Sequence, residues 1–185
     1  WLAFMGCRFG DDPGHDWADA YIARPDGSEM RPLTEGQALW FGATYGPPSR
    51  RGGGSNLVAW ADDGTLLVPQ RSPAAQVPWV YQAQRPDVDH FNREFESERA
   101  KGGVQIVRLD AATGARQELT PLWEGIWDFR VSASPDGKEL LFCRAETGGS
   151  PSIWAAAADG SDPRPITGGL DDEGADHPRW LPPMH

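Results

Sequence analysis

The stretch Val131-Ser132-Ala133-Ser134-Pro135-Asp136-Gly137-Lys138-Glu139-Leu140-Leu141-Phe142 decides the fold. It reads as strand, tight turn, strand. Proline presets φ at the corner of Ser134-Pro135-Asp136-Gly137, and glycine accepts the positive φ that a reversal needs. A second strand pair follows, from Ser152-Ile153-Trp154-Ala155 through Ala158-Asp159-Gly160-Ser161 to Arg164-Pro165-Ile166-Thr167. Working outward, the same unit recurs. Trp1-Leu2-Ala3-Phe4 matches Leu140-Leu141-Phe142, and Ala20-Tyr21-Ile22 matches Ile153-Trp154. Gly27 to Thr34 spans the same seven residues as Gly160 to Thr167 (34 − 27 = 167 − 160 = 7).

A further copy lies between them. Val58 to Val68, with its Asp62-Asp63-Gly64 turn, supplies the first half; Val104 to Gly114, ending in Glu118-Leu119-Thr120, supplies the second. His177-Pro178-Arg179-Trp180-Leu181 opens a fourth. Short strands in repeated groups of four, with Asp-Gly turns and an aromatic per hairpin, describe propeller blades. Each blade has two apolar faces and buries them only against neighbours. The expectation is an all-β propeller of about three four-stranded blades plus partial blade strands. Blade one covers 1–35, blade two 56–120, blade three 129–167, and a further blade starts at 176–185.

Two segments interrupt the repeat. Residues 42–55 are rich in glycine, proline and serine and read as a long surface loop. Residues 69–103 form an insertion inside blade two. Its second half reads as a helix, with Asp87 as cap, Val88, Phe91 and Phe95 on one face, and Gly102 as terminator.

Ser134-Pro135-Asp136-Gly137, Leu140-Leu141-Phe142, Ile153-Trp154, Asp159-Gly160 and Ile166-Thr167 together resemble the TolB-like β-propeller repeat. This repeat also forms the propeller of prolyl-oligopeptidase-type serine peptidases. The resemblance implies a propeller and leaves the task open, since the repeat serves many functions. A peptidase would add a hydrolase domain with a Gly-x-Ser-x-Gly elbow, and the chain contains no such motif. A third family of related type, the oligogalacturonate lyases, uses a divalent cation held by His and Gln. The four histidines here, His15, His90, His177 and His185, fall on different units.

Charge narrows the partners. Seventeen Lys and Arg against 27 Asp and Glu give a net charge of −10, which repels phosphate backbones and argues against nucleic acid. No run approaches the ~18 apolar residues of a membrane helix, so membrane insertion is not expected. The composition selects neither periplasm nor cytoplasm. Cys7 and Cys143 sit just after equivalent strands two blades apart, too far for a disulfide, and read as small apolar filler.

No catalytic constellation and no cofactor motif emerge. The weak metal candidates are Asp11, Asp12, His15, Asp16 and Asp19, oxygen and nitrogen donors in one loop that could hold a divalent cation, against the plainer reading of a solvated acidic loop. Asp171 to His177 is a similar acidic stretch. Trp60, Trp154 and Trp180 read as packing between blades. Trp79, Phe91, Phe95 and Trp127 are the candidates for a surface that grips a protein or peptide. Three blades fall below the four to eight of a ring, so a homodimer completing a six-bladed ring (2 × 3 = 6) is the expected assembly. The favoured function is a non-catalytic scaffold or binding module for a protein or peptide; the alternatives that the resemblance implies are the propeller portion of a prolyl-oligopeptidase-type serine peptidase lacking its hydrolase domain and, behind it, a metal-dependent oligogalacturonate-lyase-like propeller.

Overall fold

A computed structural model describes residues 1–8, 17–36, 41–45, 52–55, 57–81, 93–96, 99–168 and 174–181 of the chain. The described residues are almost entirely strand and turn. The first group holds β1 (Leu2–Arg8), β2 (Trp17–Ala23) and β3 (Arg31–Pro32), antiparallel in that order. After β4 (Phe41–Tyr45) and β5 (Gly52–Ser55), the second group comprises β6 (Ala59–Trp60), β7 (Thr65–Arg71), β10 (Val104–Asp110) and β11 (Arg116–Glu118). Between β7 and β10 lie β8 (Trp79–Tyr81) and β9 (Arg93–Phe95). The third group is β12 (Ile126–Ala133), β13 (Glu139–Glu146), β14 (Ser152–Ala157) and β15 (Arg164–Pro165). A single parallel pairing, Val104 with Trp127, joins the second and third groups at one edge.

The repeat read from the sequence is a repeat of hydrogen bonds. The threonine that ends each unit accepts a bond from the backbone 14 residues earlier: Ala20 N to Thr34 Oγ1, Ile106 N to Thr120 Oγ1 and Ile153 N to Thr167 Oγ1, each 2.9 Å. Leu33, Leu119 and Ile166 donate back to the carbonyls of the same three residues at 2.7–2.9 Å. The turns repeat as well. Asp26 Oδ1 accepts from the amide and hydroxyl of Ser28, and Asp159 Oδ1 accepts the same pair from Ser161. At the corner that decides the fold, Gly137 has φ of 70° and the Ser134 hydroxyl donates to Asp136 while accepting from the amides of Lys138 and Glu139.

The groups stack through their faces. Alternation along each strand sends neighbouring residues to opposite sides. Leu66, Val68, Val107 and Leu109 thus meet Ala20 and Ile22 of the first group. Leu67, Ile106 and Leu119 meet Val131, Leu140, Phe142 and Ala156 of the third. Arginines tie the seams: Arg31 Nη2 reaches the Ala111 carbonyl at 2.6 Å, and Arg108 Nη2 reaches that of Ala158 at 2.7 Å.

Four sequence expectations need correction. The helix over the second half of the insertion gives way to strand at its described part, because β9 pairs with β8 and sets Phe95 opposite Trp79. Short helices are marginal in isolation, and aromatic residues favour paired strands. The insertion also begins later than residue 69. β7 runs through Pro69, which lies opposite Ile106. Beyond Leu66 and Leu67 the described part of β6 makes no ladder with β7, so the missing proline N–H is accommodated. The segment read as a loop over 42–55 contains the β4–β5 hairpin, with Thr44 and Tyr45 opposite Gly53 and Gly52. The cysteines lie inside β1 and β13 rather than after them.

Candidate functional site

Pairing aligns the three groups residue by residue. Phe4 opposite Tyr21, Val68 opposite Val107 and Phe142 opposite Trp154 are the same step of the ladder. Two residues further along β1, β7 and β13, and so two residues back along the paired strands, comes a polar step: Gly6 with Asp19, Gln70 with Gln105, and Arg144 with Ser152. The apolar steps are alike in all three groups and hold the stack together. The polar step differs in each, and in the second and third groups it lines a cleft.

The first cleft, about 430 Å³, is lined by Glu35, Gln70, Arg71, Gln105, Arg116 and Leu122. It lies where the insertion leaves β7. Arg71 is fixed by donating from Nε to the Gly36 carbonyl at 2.7 Å, and burial lowers its pKa against the opposing pull of Asp19. Arg116 donates to Glu118 at 2.5 Å. Gln105 is 1% exposed; its Nε2 lies 3.5 Å from Glu118 Oε1, and its own Oε1 has no protein donor.

The second cleft, about 320 Å³, is lined by Arg144, Glu146, Ser150, Ser152 and Trp154 among others. Arg144 forms a two-pronged bond to Asp128 at 2.7 and 2.8 Å and lies 4.7 Å from the Trp154 ring centre. Asp128 is wholly buried. Burial raises its pKa, and the hydrogen bonds from Arg144 oppose that rise. This geometry leaves Arg144 Nη1 outside the fork to Asp128.

A third polar cluster holds the segment 174–181 against β12 and β13. Arg130 donates to Asp176 and approaches His177 Nδ1 at 3.0 Å, while the Cys143 thiol donates to Asp176 at 3.2 Å. Burial, with the Asp176 charge, pushes the Cys143 pKa well up, so the thiol stays protonated and unreactive. Arg130 and His177 both have positive φ, 52° and 57°. The strain sits at a latch between segments.

The sequence-predicted site residues do not converge. Asp11, Asp12, His15, Asp16 and Phe91 lie outside the described residues. Asp19 is 7% exposed and accepts from Thr34 Oγ1 at 2.8 Å and Gly36 N at 2.6 Å, which commits one of its oxygens to a strand terminus. Among the described residues, no three His, Cys, Asp or Glu side chains gather closely enough to hold a metal ion. Trp79 and Phe95 are register partners on β8 and β9. Trp127 is a core residue, not a surface one: it is 1% exposed, packs with Phe129 and Ala145, and donates from Nε1 to Thr147 Oγ1 at 2.8 Å. Trp60 and Trp154 do pack between groups, on different strands of their units. The polar step was invisible to the sequence reading, because it appears only once strand register aligns the copies.

The described residues thus form an all-β array of repeated antiparallel strand groups. No protein-family model matches the chain. Among solved structures, it is similar to TolB from Acinetobacter baumannii, with a TM-score of 0.51 and 19% sequence identity over 94% of this chain. The chain spans about a third (31%) of that structure's length. The likeness is one of fold.

Proposed function

We propose that this chain is a non-catalytic TolB-like β-propeller scaffold that binds a protein or peptide, with units 1–35, 56–120 and 129–167 as blades and a further blade from 176. The reading also takes the chain to be half of a ring closed by self-association. The observation that carries the binding role is the polar step at the clefts. Arg71 and Arg116 offer guanidinium groups suited to a peptide main chain, beside the apolar Leu122, with the buried amides of Gln70 and Gln105 lining the same cleft. The net charge of −10 favours a partner that is not acidic.

The test is selection of peptides from a random display library on the immobilised chain, with winners remeasured by calorimetry. Saturable binding that weakens about tenfold or more in Arg116→Glu, and is unchanged in Lys138→Glu on a distant turn, is the expected result. Binding indifferent to Arg116, or no saturable binding, would contradict it.

A further inference from the structure

The two outward faces of the strand stack repeat, by register, the two faces that meet inside it. Inside the chain, the third group offers Leu140, Phe142, Trp154 and Ala156 to the second, which answers with Leu67, Ile106 and Leu119. Register transfers the first set to Leu2, Phe4, Tyr21 and Ala23 on the first group. Among the described residues this face is more open: Leu2 is 50% exposed and Phe4 36%, where Leu140 and Phe142 are 1% and 0%, although Ala23 is buried like Ala156. The second set transfers to Leu141, Ile153 and Ile166 on the far side of the third group. Ile166 is 53% exposed, where its counterpart Leu119 is 5%.

The turns report the same vacancy. A Cβ on Gly160 would lie 1.9 Å from the Leu119 carbonyl, whereas one on its counterpart Gly27 would meet nothing within 4 Å. The arginine seam also has a spare member. Arg31 bonds to the Ala111 carbonyl, and its counterpart Arg164 is half exposed and, among the described residues, paired with Glu139 of its own group.

We infer that a second copy of this chain covers these faces, head to tail, with Leu141, Ile153 and Ile166 of one copy seated on Leu2, Phe4 and Tyr21 of the other. This continues the established series of interfaces between groups, and it rests on the propeller reading above. Arg164 then meets the Pro25 carbonyl, the counterpart of that of Ala111. The strand edge is served too. Among the described strands β1 pairs with β2 alone, and Leu2 and Ala3 occupy the positions that Leu140 and Leu141 hold opposite Ala133 and Ser132. His177 repeats the positive φ of Arg130, 57° against 52°, 47 positions further on (177 − 130), so Arg179 and Trp180 stand for Ser132 and Ala133. Trp180 and Arg179 thus fall opposite Leu2 and Ala3 of the second copy, adding a strand to its edge. Two such contacts related by a two-fold axis close the assembly.

The experiment uses light scattering on the full chain and on two variants at exposed positions, Leu2→Asp and Ile166→Asp, with circular dichroism confirming native strand content. The chain is expected at about twice 20.2 kDa and each variant alone at the single mass. An equimolar mixture of the two variants should return to the doubled mass, because Leu2 of one still meets Ile166 of the other. A folded chain that is a monomer at all concentrations would overturn the inference and assign these faces to another occupant, while leaving peptide binding at the clefts to its own test. Variants that still pair alone, or a mixture that does not, would overturn the head-to-tail arrangement.

Discussion

Asp26-Gly27-Ser28 and Asp159-Gly160-Ser161 make the same turn from the same residues, with glycine φ of 83° and 87°. Yet one glycine is pressed against a neighbouring strand and the other faces open space. Local chemistry builds the turn, and the neighbour decides how much the turn is worth. The same contrast holds for Phe142 and Phe4. They occupy one ladder position, the first sealed by the second strand group and the second stacked on Tyr21 at 5.6 Å and 36% exposed.

This contrast can be broken most forcefully at the phenylalanines. Phe142→Ala should cost about 3–5 kcal/mol in urea unfolding, as expected for a sealed core ring. Phe4→Ala, measured in dilute solution, should cost about 1 kcal/mol or less. Equal losses would mean that the first group's outer face is already covered within a single chain.

The glycines come next. Gly160→Ala forces a Cβ into the Leu119 backbone as well as into a left-handed conformation, and should lose about 3 kcal/mol or more. Gly27→Ala meets only the conformational penalty, about 1–2 kcal/mol. The two losses should converge as the concentration rises and a second copy covers Gly27.

Smaller effects sharpen the comparison from the other side. Thr167→Val strands the backbone N–H of Ile153 and should cost about 1–2 kcal/mol, while Thr34→Val strands that of Ala20 and also takes its hydroxyl from the buried Asp19, so it should cost more. Equal losses would show that the bond to Asp19 adds nothing at that strand terminus.

The smallest effect is in acid. Hydrogen bonds from the Ser28 and Ser161 hydroxyls, then from their amides, hold the Asp26 and Asp159 carboxyls below the usual value of 3.8. Their lowered folded values mean that the stabilisation is complete above about pH 4 and is lost as pH falls through those values. Carbon-detected NMR titration should find both carboxyls depressed, and Ser28→Ala and Ser161→Ala should each raise the adjacent midpoint. A normal midpoint at either would remove that turn from the pair.

How far the sequence was legible follows from the range of each signal. The Asp-Gly corners and the terminal threonines are local, so the three groups and most of their strands could be read directly. Pro69 and the Gly52-Gly53-Gly54 run misled, because breaker residues were tolerated where a ladder is one-sided or where a partner strand supplies the order. The spacing of Val88, Phe91 and Phe95 suited a helix, but pairing of Phe95 with Trp79 is a contact across the chain that no periodicity encodes. The polar step of Gln70, Gln105, Arg144 and Ser152 was equally hidden. It depends on which residue faces which across a ladder, and register is a property of the folded sheet.

Hydrogen exchange at the two strand edges tests the shared-interface reading most directly. Amides of Leu2–Arg8 and of residues 177–181 should gain protection together as the chain is concentrated, while those of Glu139–Glu146, already paired on both sides, stay unchanged. Doubling of the mass with no added protection at β1 would contradict it.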